Sequence, residues 1–201
     1  MVPDSPPLIL ALTGASGSLY SLSLARKILQ RDIPLHLLIS DTAAEILRKE
    51  TGRRLDDWVG ELTSMGKVMV DDIRNLGASV SSGSYLTRGM IVAPCSMGTL
   101  GRIAAGVSGN LIERAADVCL KERRKLILLA RETPLSAIHL ENMLRISHAG
   151  GIIMPPVPAL YAAPASIGEM VDFTAERVMD LMELPSPEAY RWDGGGWSGD
   201  D

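Results

Sequence analysis

The chain has 201 residues, a formal net charge of −4, 46% hydrophobic residues and only 4% aromatic residues. This length predicts one domain whose core is built from aliphatic side chains and methionine. The negative charge argues against nucleic acid as a partner, because a wide basic surface would be needed to collect phosphates. No apolar run approaches the roughly 20 residues of a bilayer span, so no membrane contact is expected. Two cysteines and no secretory leader are typical of reduced thiols and predict a cytoplasmic location.

The first predicted strand ends at a loop of small residues. Residues 8–12 are apolar and uncharged, and a helical pattern begins at Leu19 after the loop Thr13-Gly14-Ala15-Ser16-Gly17-Ser18. Glycines let the backbone approach a phosphate, and a helix N-terminus offers unpaired N–H groups. The loop has Gly-x-x-Gly rather than the full dinucleotide fingerprint. For this loop alone, phosphate binding and an ordinary strand-to-helix turn both stay open.

Two further strands end in hydroxyl-bearing loops. Residues 34–40 form a predicted buried strand that ends in Ser40, and Asp41 then begins a helix as either a ribose ligand or a cap. Residues 89–93 form another uncharged strand, and the next helix opens with Pro94-Cys95-Ser96-Met97-Gly98-Thr99-Leu100. Ligands of open αβ sheets bind at the carboxyl ends of the strands, so the recurrence of such loops favours a real site.

The segment between these strands, residues 51–85, is the least regular part of the sequence. It contains a short amphipathic stretch at 55–62 and a candidate strand at 68–70. Residues 77–84 are mostly small and hydroxylated. This composition is typical of a flexible loop, and it also suits a loop that lies close to a planar ligand.

Three residues at strand ends are candidate reactive groups. Cys95 has no base near it in the sequence, which favours a packed thiol over a nucleophile. A predicted strand at residues 125–130 leads directly into Arg131 and Glu132. A charged pair at the mouth of a central strand is hard to explain by packing. We therefore interpret Arg131 and Glu132 as site residues.

Other polar residues stand out less. Arg114 and Lys121 lie seven residues apart on a predicted helix and point the same way, which is also what solvated surface charges do. A proline-rich loop can hold Tyr161 in place. Arg177 interrupts a mainly apolar final helix, and it should cost stability unless an anion or a carboxylate meets it.

No metal site is expected. His139 and His148 lie eleven residues apart on a predicted helix, and no carboxylate or cysteine joins them at metal-ligand spacing. Both are interpreted as ordinary polar residues.

The alternation of strands and helices predicts one α/β domain with a doubly wound, mainly parallel sheet in three layers, of Rossmann or flavodoxin-like type. We expect this domain at residues 1–185. Residues 186–201 form a C-terminal tail with Trp192, which we expect to order only against a neighbouring subunit. The methionine-rich, aromatic-poor apolar content also suggests surface that is buried between subunits.

Taken together, the loops resemble those of the flavin prenyltransferases, a family related to the flavin-containing cysteine decarboxylases. The resemblance spans about residues 8–192. Its motifs occur in the order Gly14-Ala15-Ser16-Gly17, Pro94-Cys95-Ser96-Met97-x-Thr99-Leu100, Arg131-Glu132-Thr133-Pro134-Leu135 and Pro158-x-x-Tyr161-x-x-Pro164.

The resemblance implies a homododecamer that binds FMN as a substrate and joins it to the dimethylallyl group of dimethylallyl phosphate. The donor is either a monophosphate or a diphosphate. The prenylated FMN would pass to a partner decarboxylase. By motif position, the FMN-binding residues would be Gly14, Ala15, Ser16, Ser40, Ser96, Met97, Thr99 and Arg131.

For the reaction itself, the resemblance implies Ser16, Glu50 and Glu132 as catalytic residues. The allyl phosphate would be bound by Lys121, Tyr161 and Arg177, with Arg114 and Trp192 near. The family pattern leads us to expect a larger polar residue after Met97, where this chain has Gly98. That departure leaves the FMN assignment intact and removes any contact from a side chain at position 98.

Three rival functions stay open. A cysteine decarboxylase of the same fold would be expected to show a different loop at the third strand and a catalytic histidine in the middle region, which has none between Thr51 and Ser84. A dinucleotide dehydrogenase would need the full glycine fingerprint. A flavin-storage protein would leave Glu132, Tyr161 and Arg177 unexplained.

Overall fold

A computed structural model describes residues 5–191. The described residues form six strands and seven α-helices, and one or two helices follow every strand except β3. The strands are β1 (Leu8–Leu12), β2 (Leu35–Ile39), β3 (Val68–Asp71), β4 (Gly89–Cys95), β5 (Lys125–Ala130) and β6 (Ile152–Ile153). The helices are α1 (Ser18–Leu29), α2 (Asp41–Thr51), α3 (Leu55–Met65), α4 (Met97–Ala104), α5 (Leu111–Lys121), α6 (Ala137–His148) and α7 (Ile167–Leu181).

The strands form one sheet in the order β3-β2-β1-β4-β5-β6, and all five pairings are parallel. This confirms the predicted α/β class, with a fully parallel sheet in place of a mainly parallel one. The strand order reverses between β1 and β4, because β2 lies on one side of β1 and β4 on the other. Open αβ sheets bind their ligands at the carboxyl ends of the strands at this point.

The helices cover both faces of the sheet. Side chains alternate between the faces along each strand, so Leu8, Leu10 and Leu12 enter one core while Ile9 and Ala11 enter the other. The first core also contains side chains of α1, α2, α3 and α7. The second contains side chains of α4, α5 and α6. Since both faces are covered, the strands read as continuous apolar runs, and each fully buried leucine contributes about 1.5–3 kcal/mol.

The middle region is more regular than expected from the sequence. The amphipathic stretch becomes the full helix α3, with Trp58 completely buried, and the candidate strand becomes the edge strand β3. The buried His36 on β2 connects this region to the sheet. Its Nδ1 atom lies 2.5 Å from Asp71 Oδ2, and its Nε2 atom lies 2.9 Å from the Tyr85 hydroxyl. His36 therefore joins three segments that are distant in sequence.

The C-terminal segment up to residue 191 packs on α7 of the same chain. The Tyr190 ring lies 6.2 Å from the Tyr161 ring, and Arg191 donates hydrogen bonds to Asp180. The predicted boundary at residue 185 stays a prediction, and Trp192 lies outside the described residues. Among residues 5–191, none of the helices has both the length and the apolar content of a membrane span.

Candidate functional site

The predicted flavin-binding residues follow four adjacent strands. Ser40 follows β2, Gly14 to Ser16 follow β1, Ser96 to Thr99 follow β4, and Arg131 follows β5. In the sheet these strands are neighbours in the order β2-β1-β4-β5. Because all are parallel, their carboxyl ends lie at the same edge. The fold therefore brings the predicted residues to one edge of the sheet, and this carboxyl edge is the candidate site.

A buried threonine holds the two central loops together. The Thr13 hydroxyl donates to the Pro94 carbonyl oxygen at 2.9 Å, and the Ser96 N–H donates to Thr13 Oγ1 at 2.8 Å. Thr13 is 2% exposed, so these hydrogen bonds are shielded from water. They fix the first loop against the loop after β4.

Two of the predicted hydroxyl residues are helix N-caps. Ser40 Oγ accepts the Ala43 N–H at 3.2 Å, and Ser96 Oγ accepts the Thr99 N–H at 3.4 Å. The Ser96 hydroxyl also donates to Thr99 Oγ1 at 3.1 Å. Serine is favoured at N-caps because its side chain satisfies an otherwise unpaired N–H group. The caps hold these hydroxyl groups at the start of α2 and α4, on the carboxyl edge.

The N-terminus of α1 is occupied by a carboxylate of the chain itself. Glu50 accepts the N–H groups of Gly17 at 3.0 Å and Ser18 at 2.8 Å. Gly17 has φ 123°, a conformation that favours glycine. Burial raises the pKa of the Glu50 carboxyl, but hydrogen bonds from the Ser16 hydroxyl and from Ser18 and Gly17 outweigh burial and lower it. These hydrogen bonds argue against phosphate binding at the N-terminus of α1, because the Glu50 carboxylate already accepts the N–H groups of Gly17 and Ser18.

Arg131 has an unmet hydrogen-bonding need at the carboxyl edge. Its backbone N–H donates to the Cys95 carbonyl oxygen at 3.1 Å, which places it beside the loop after β4. Its Nε atom is buried and has no hydrogen-bond partner among residues 5–191. A buried unpaired donor costs about 1–3 kcal/mol or more when it is charged, so a ligand acceptor fits this position. The neighbouring Glu132 is exposed, and its carboxylate accepts the Thr133 N–H at 3.0 Å.

Cys95 is packed in the core. The residue is fully buried, and burial raises the pKa of its thiol to about 12. A thiol of this kind is not a nucleophile near neutral pH. This agrees with the sequence interpretation.

Two of the predicted phosphate ligands lie beside the C-terminal segment. Tyr161 is 63% exposed, and its ring lies 5.9 Å from Phe173. Arg177 forms an ion pair at 3.1 Å with Asp180, which is a carboxylate as the sequence analysis allowed, and Arg191 binds the same carboxylate. A cavity of about 340 Å³ lies here, and its charged lining consists of Lys27, Arg177, Glu169, Asp172, Glu176, Asp180 and Glu188. Acidic groups outnumber basic ones, so one chain alone is poorly suited to bind an anion in this cavity.

The other two predicted phosphate ligands lie in a different layer. Lys121 and Arg114 are on α5, which packs on the opposite face of the sheet from α7. Lys121 pairs with Glu122, while Arg114 pairs with Asp117 at 2.7 Å. A single chain therefore does not bring these cations to Arg177. The grouping of these four residues in one phosphate site stays a prediction, and this geometry means that it would need residues from more than one copy.

One ion pair with a buried carboxylate, near the site, was missed by sequence reasoning. Arg102 on α4 donates through Nε to Glu113 on α5, whose side chain is 1% exposed. Arg102 Nη2 also lies 3.4 Å from Thr99 Oγ1. The only hint of this pair in the sequence was Gly98, where the family pattern leads us to expect a larger polar side chain.

In the described part of the chain, no group of three or more His, Cys, Asp or Glu side chains is placed to hold a metal ion.

Comparison with known proteins agrees with this geometry. Residues 3–179 match the model of the Flavoprotein family. The chain is 45% identical to the flavin prenyltransferase UbiX of Methanothermobacter thermautotrophicus over 93% of this chain and 95% of that protein.

Two crystal structures are also similar. One is AnUbiX in complex with FMN and dimethylallyl pyrophosphate, with a TM-score of 0.89 and 40% identity over 96% of this chain and 99% of the other. The second is a dodecameric FMN-dependent UbiX-like decarboxylase from Escherichia coli, with a TM-score of 0.87 and 40% identity over 94% of this chain and 100% of the other. The chain belongs to the Flavoprotein family and, within it, to the flavin prenyltransferases.

Proposed function

We propose that this protein transfers a dimethylallyl group from dimethylallyl phosphate to reduced FMN. The observation that carries the proposal is Arg131, whose buried Nε lacks a partner in residues 5–191 at the point where four parallel strands end. The hydroxyl-bearing loops beside it suit FMN, and the family membership supplies the reaction. Reduced FMN would provide N5 as nucleophile and C6 for the ring closure that follows.

Each residue of the carboxyl edge has a role in this proposal. Gly14, Ala15, Ser16, Ser40, Ser96, Met97, Thr99 and Arg131 would bind FMN. Glu50 accepts the N–H groups of Gly17 and Ser18 and so holds the end of the first loop, next to Ser16, in place. Glu132 lies next to Arg131, exposed at the strand end, where a carboxyl group can move a proton as phosphate leaves.

The donor site would be completed between copies of the chain. Tyr161 and Arg177 lie on one face of the sheet, and Arg114 and Lys121 lie on the other. In an oligomer, α5 of one copy can bring its Arg114 and Lys121 to Tyr161 and Arg177 of another copy. Cations around the phosphate make it a better leaving group. The acid-rich lining beside Arg177 supports this arrangement, since it needs additional positive charge before it can accept an anion.

Exposed apolar side chains support assembly of several copies. Ile138 and Leu144 on α6 are 69% and 55% exposed, and Leu160, next to Tyr161, is 72% exposed. Apolar surface of this kind is typical of protein contacts. A homododecamer would match the assembly of the E. coli relative, and the product would pass to a decarboxylase that uses prenylated FMN.

The aromatic cluster beside Arg177 suits the allyl group. The rings of Tyr161, Phe173 and Tyr190 lie 5.8–6.2 Å from one another. Aromatic faces stabilise positive charge through cation–π contact, which favours an allyl group that develops positive charge as phosphate leaves. Trp192 would add a further face from outside the described residues.

Mass spectrometry of the flavin tests this function. The protein is incubated with reduced FMN and either dimethylallyl phosphate or the diphosphate, and the molecular mass of the released flavin is measured. The expected result is a mass gain of one prenyl unit, with the better donor showing which phosphate is used. FMN that stays bound but unchanged in mass with both donors would favour a flavin-binding protein. Release of carbon dioxide from a peptide with a C-terminal cysteine would favour the decarboxylase alternative.

A further inference from the structure

We propose that Arg102 holds an anionic group of FMN at the start of α4, in the place of the side chain that Gly98 lacks. The proposal rests on the assignment of FMN to the carboxyl edge. It does not depend on prenyl transfer, because flavin binding is measured separately.

The geometry places the Arg102 guanidinium over the bare glycine. A Cβ atom added at Gly98 would meet Arg102 Nη1 at 3.5 Å as its nearest neighbour. Arg102 Nη2 lies 3.4 Å from Thr99 Oγ1, which in turn accepts from the Ser96 hydroxyl. Arg102 is one helical turn after Gly98, so its side chain reaches back toward the start of α4. It thereby reaches the loop that is predicted to bind FMN.

A buried carboxylate anchors this arginine. Glu113 accepts from Arg102 Nε, from the Gly109 N–H at 2.8 Å and from Asn110 Nδ2 at 2.9 Å. The Arg102 side chain itself remains 49% exposed. The anchor fixes the guanidinium before a ligand arrives. Less conformational entropy is then lost on binding.

The way Arg102 uses its donors differs from that of Arg26, whose partner Glu61 also pairs with Arg53. On α1, Arg26 directs both Nε and Nη2 at Glu61, at 3.0 and 2.7 Å. Arg102 gives Glu113 only Nε and leaves Nη1 without a partner among residues 5–191. The two arginines are similarly exposed, at 42% and 49%. The difference is that Arg102 keeps its Nη atoms directed at the start of α4, where they can donate to a ligand.

An anion is the acceptor that best suits Arg102, because a guanidinium only donates hydrogen bonds and carries a fixed positive charge. Reduced FMN offers two anions, its phosphate and the deprotonated ring. Riboflavin has the ring without the phosphate. Comparing FMN and riboflavin in both oxidation states therefore identifies which anion Arg102 meets.

The test chain is the double variant Arg102→Gln/Glu113→Gln. It removes the cation without leaving Glu113 charged and buried alone, a change that would endanger folding. Arg26→Gln/Glu61→Gln is the matched control, and urea denaturation checks that both variants fold. We expect the test chain to bind reduced FMN at least about tenfold more weakly, the usual effect of losing a charge-assisted hydrogen bond. The control pair should bind FMN like the unaltered chain.

The pattern of loss identifies the anion. Weaker binding of FMN with unchanged riboflavin binding assigns Arg102 to the phosphate. Weaker binding of both reduced flavins, with a lower midpoint potential of the bound flavin, assigns it to the ring. Adding Gly98→Lys to the test chain should restore binding in either case, because the new side chain supplies a cation from the same place. FMN binding within about twofold of the unaltered chain in a folded test variant would overturn the proposal.

Discussion

The carboxyl edge of the sheet and the outer surface of α7 each carry an arginine that the sequence marked for function, and their surroundings differ. Arg131 keeps a buried Nε atom without a partner in the described part of the chain. Arg177 is about half-exposed and shares the Asp180 carboxylate with Arg191. The comparison teaches that one chain brings the residues proposed for FMN to one edge of the sheet, but separates the residues proposed for the allyl phosphate onto two faces. The predictions below test that difference.

The largest effect is expected from Glu132, which lies next to Arg131 at the carboxyl edge and is proposed to act on the donor. Glu132→Gln should keep FMN affinity and slow prenyl transfer by about 10²-fold or more, the usual cost of losing a positioned acid or base. Single-turnover mass analysis of the flavin measures the rate. An unchanged rate would remove Glu132 from the mechanism.

Arg131→Gln should weaken FMN binding by about 10- to 100-fold, because the flavin would lose a charge-assisted hydrogen bond in a buried place. Equilibrium dialysis with FMN gives the dissociation constant. The KM for dimethylallyl phosphate, measured at saturating FMN, should change little. A larger change in that KM than in FMN affinity would erase the distinction between the two regions.

Arg177→Ala should show the opposite pattern. We expect the KM for dimethylallyl phosphate to rise by about tenfold, because one of several phosphate contacts is lost, while FMN affinity stays nearly unchanged. Arg131→Gln serves as the reciprocal control in the same assays. Weaker FMN binding in Arg177→Ala would show that the two-site interpretation is wrong.

The sequence predicted the sheet well because the strand signal is local. Each strand is a short uncharged run covered on both faces, and parallel strands place their carboxyl ends at one edge. Arg131 could therefore be interpreted as a site residue from its place at a strand end, whereas the FMN roles of Ser40 and Ser96 came from the family resemblance. The contacts that refine the site are not local. The Glu50 carboxylate accepts the N–H group of Gly17, 33 residues away in the sequence, and no periodic pattern predicts that hydrogen bond.

The same limit explains the residues that were missed. Arg102 and Glu113 lie 11 residues apart on separate helices, and each alone looks like a surface charge. Their pairing depends on how α4 and α5 turn at Gly109 and Asn110. Motif order does not tell which face of the sheet a helix covers, so the sequence did not predict that Lys121 and Arg177 of one chain lie on opposite faces.

A smaller effect is expected from the carboxylate at the first loop. The pKa of Glu50 is lowered in the folded protein, so its contribution to stability is complete above the ordinary value of 4.5 and is lost as the pH falls through the folded value. Glu50→Gln should lower the free energy of unfolding at pH 7 by about 1 kcal/mol or less, as for a weakened helix cap. The difference should shrink as urea denaturation is repeated at lower pH. Glu45→Gln, an exposed change on the same helix, is the control.

Complementation between two defective chains tests most directly whether the donor site is built between copies. Lys121→Ala and Arg177→Ala chains with different tags are coexpressed, and mixed oligomers are purified through both tags. If Lys121 and Arg177 of different copies share a site, about a quarter of the sites in a random mixture carry both native residues. Prenylated flavin should then form faster than with either variant alone at limiting donor. A rate no higher than the average of the two variants would contradict the account.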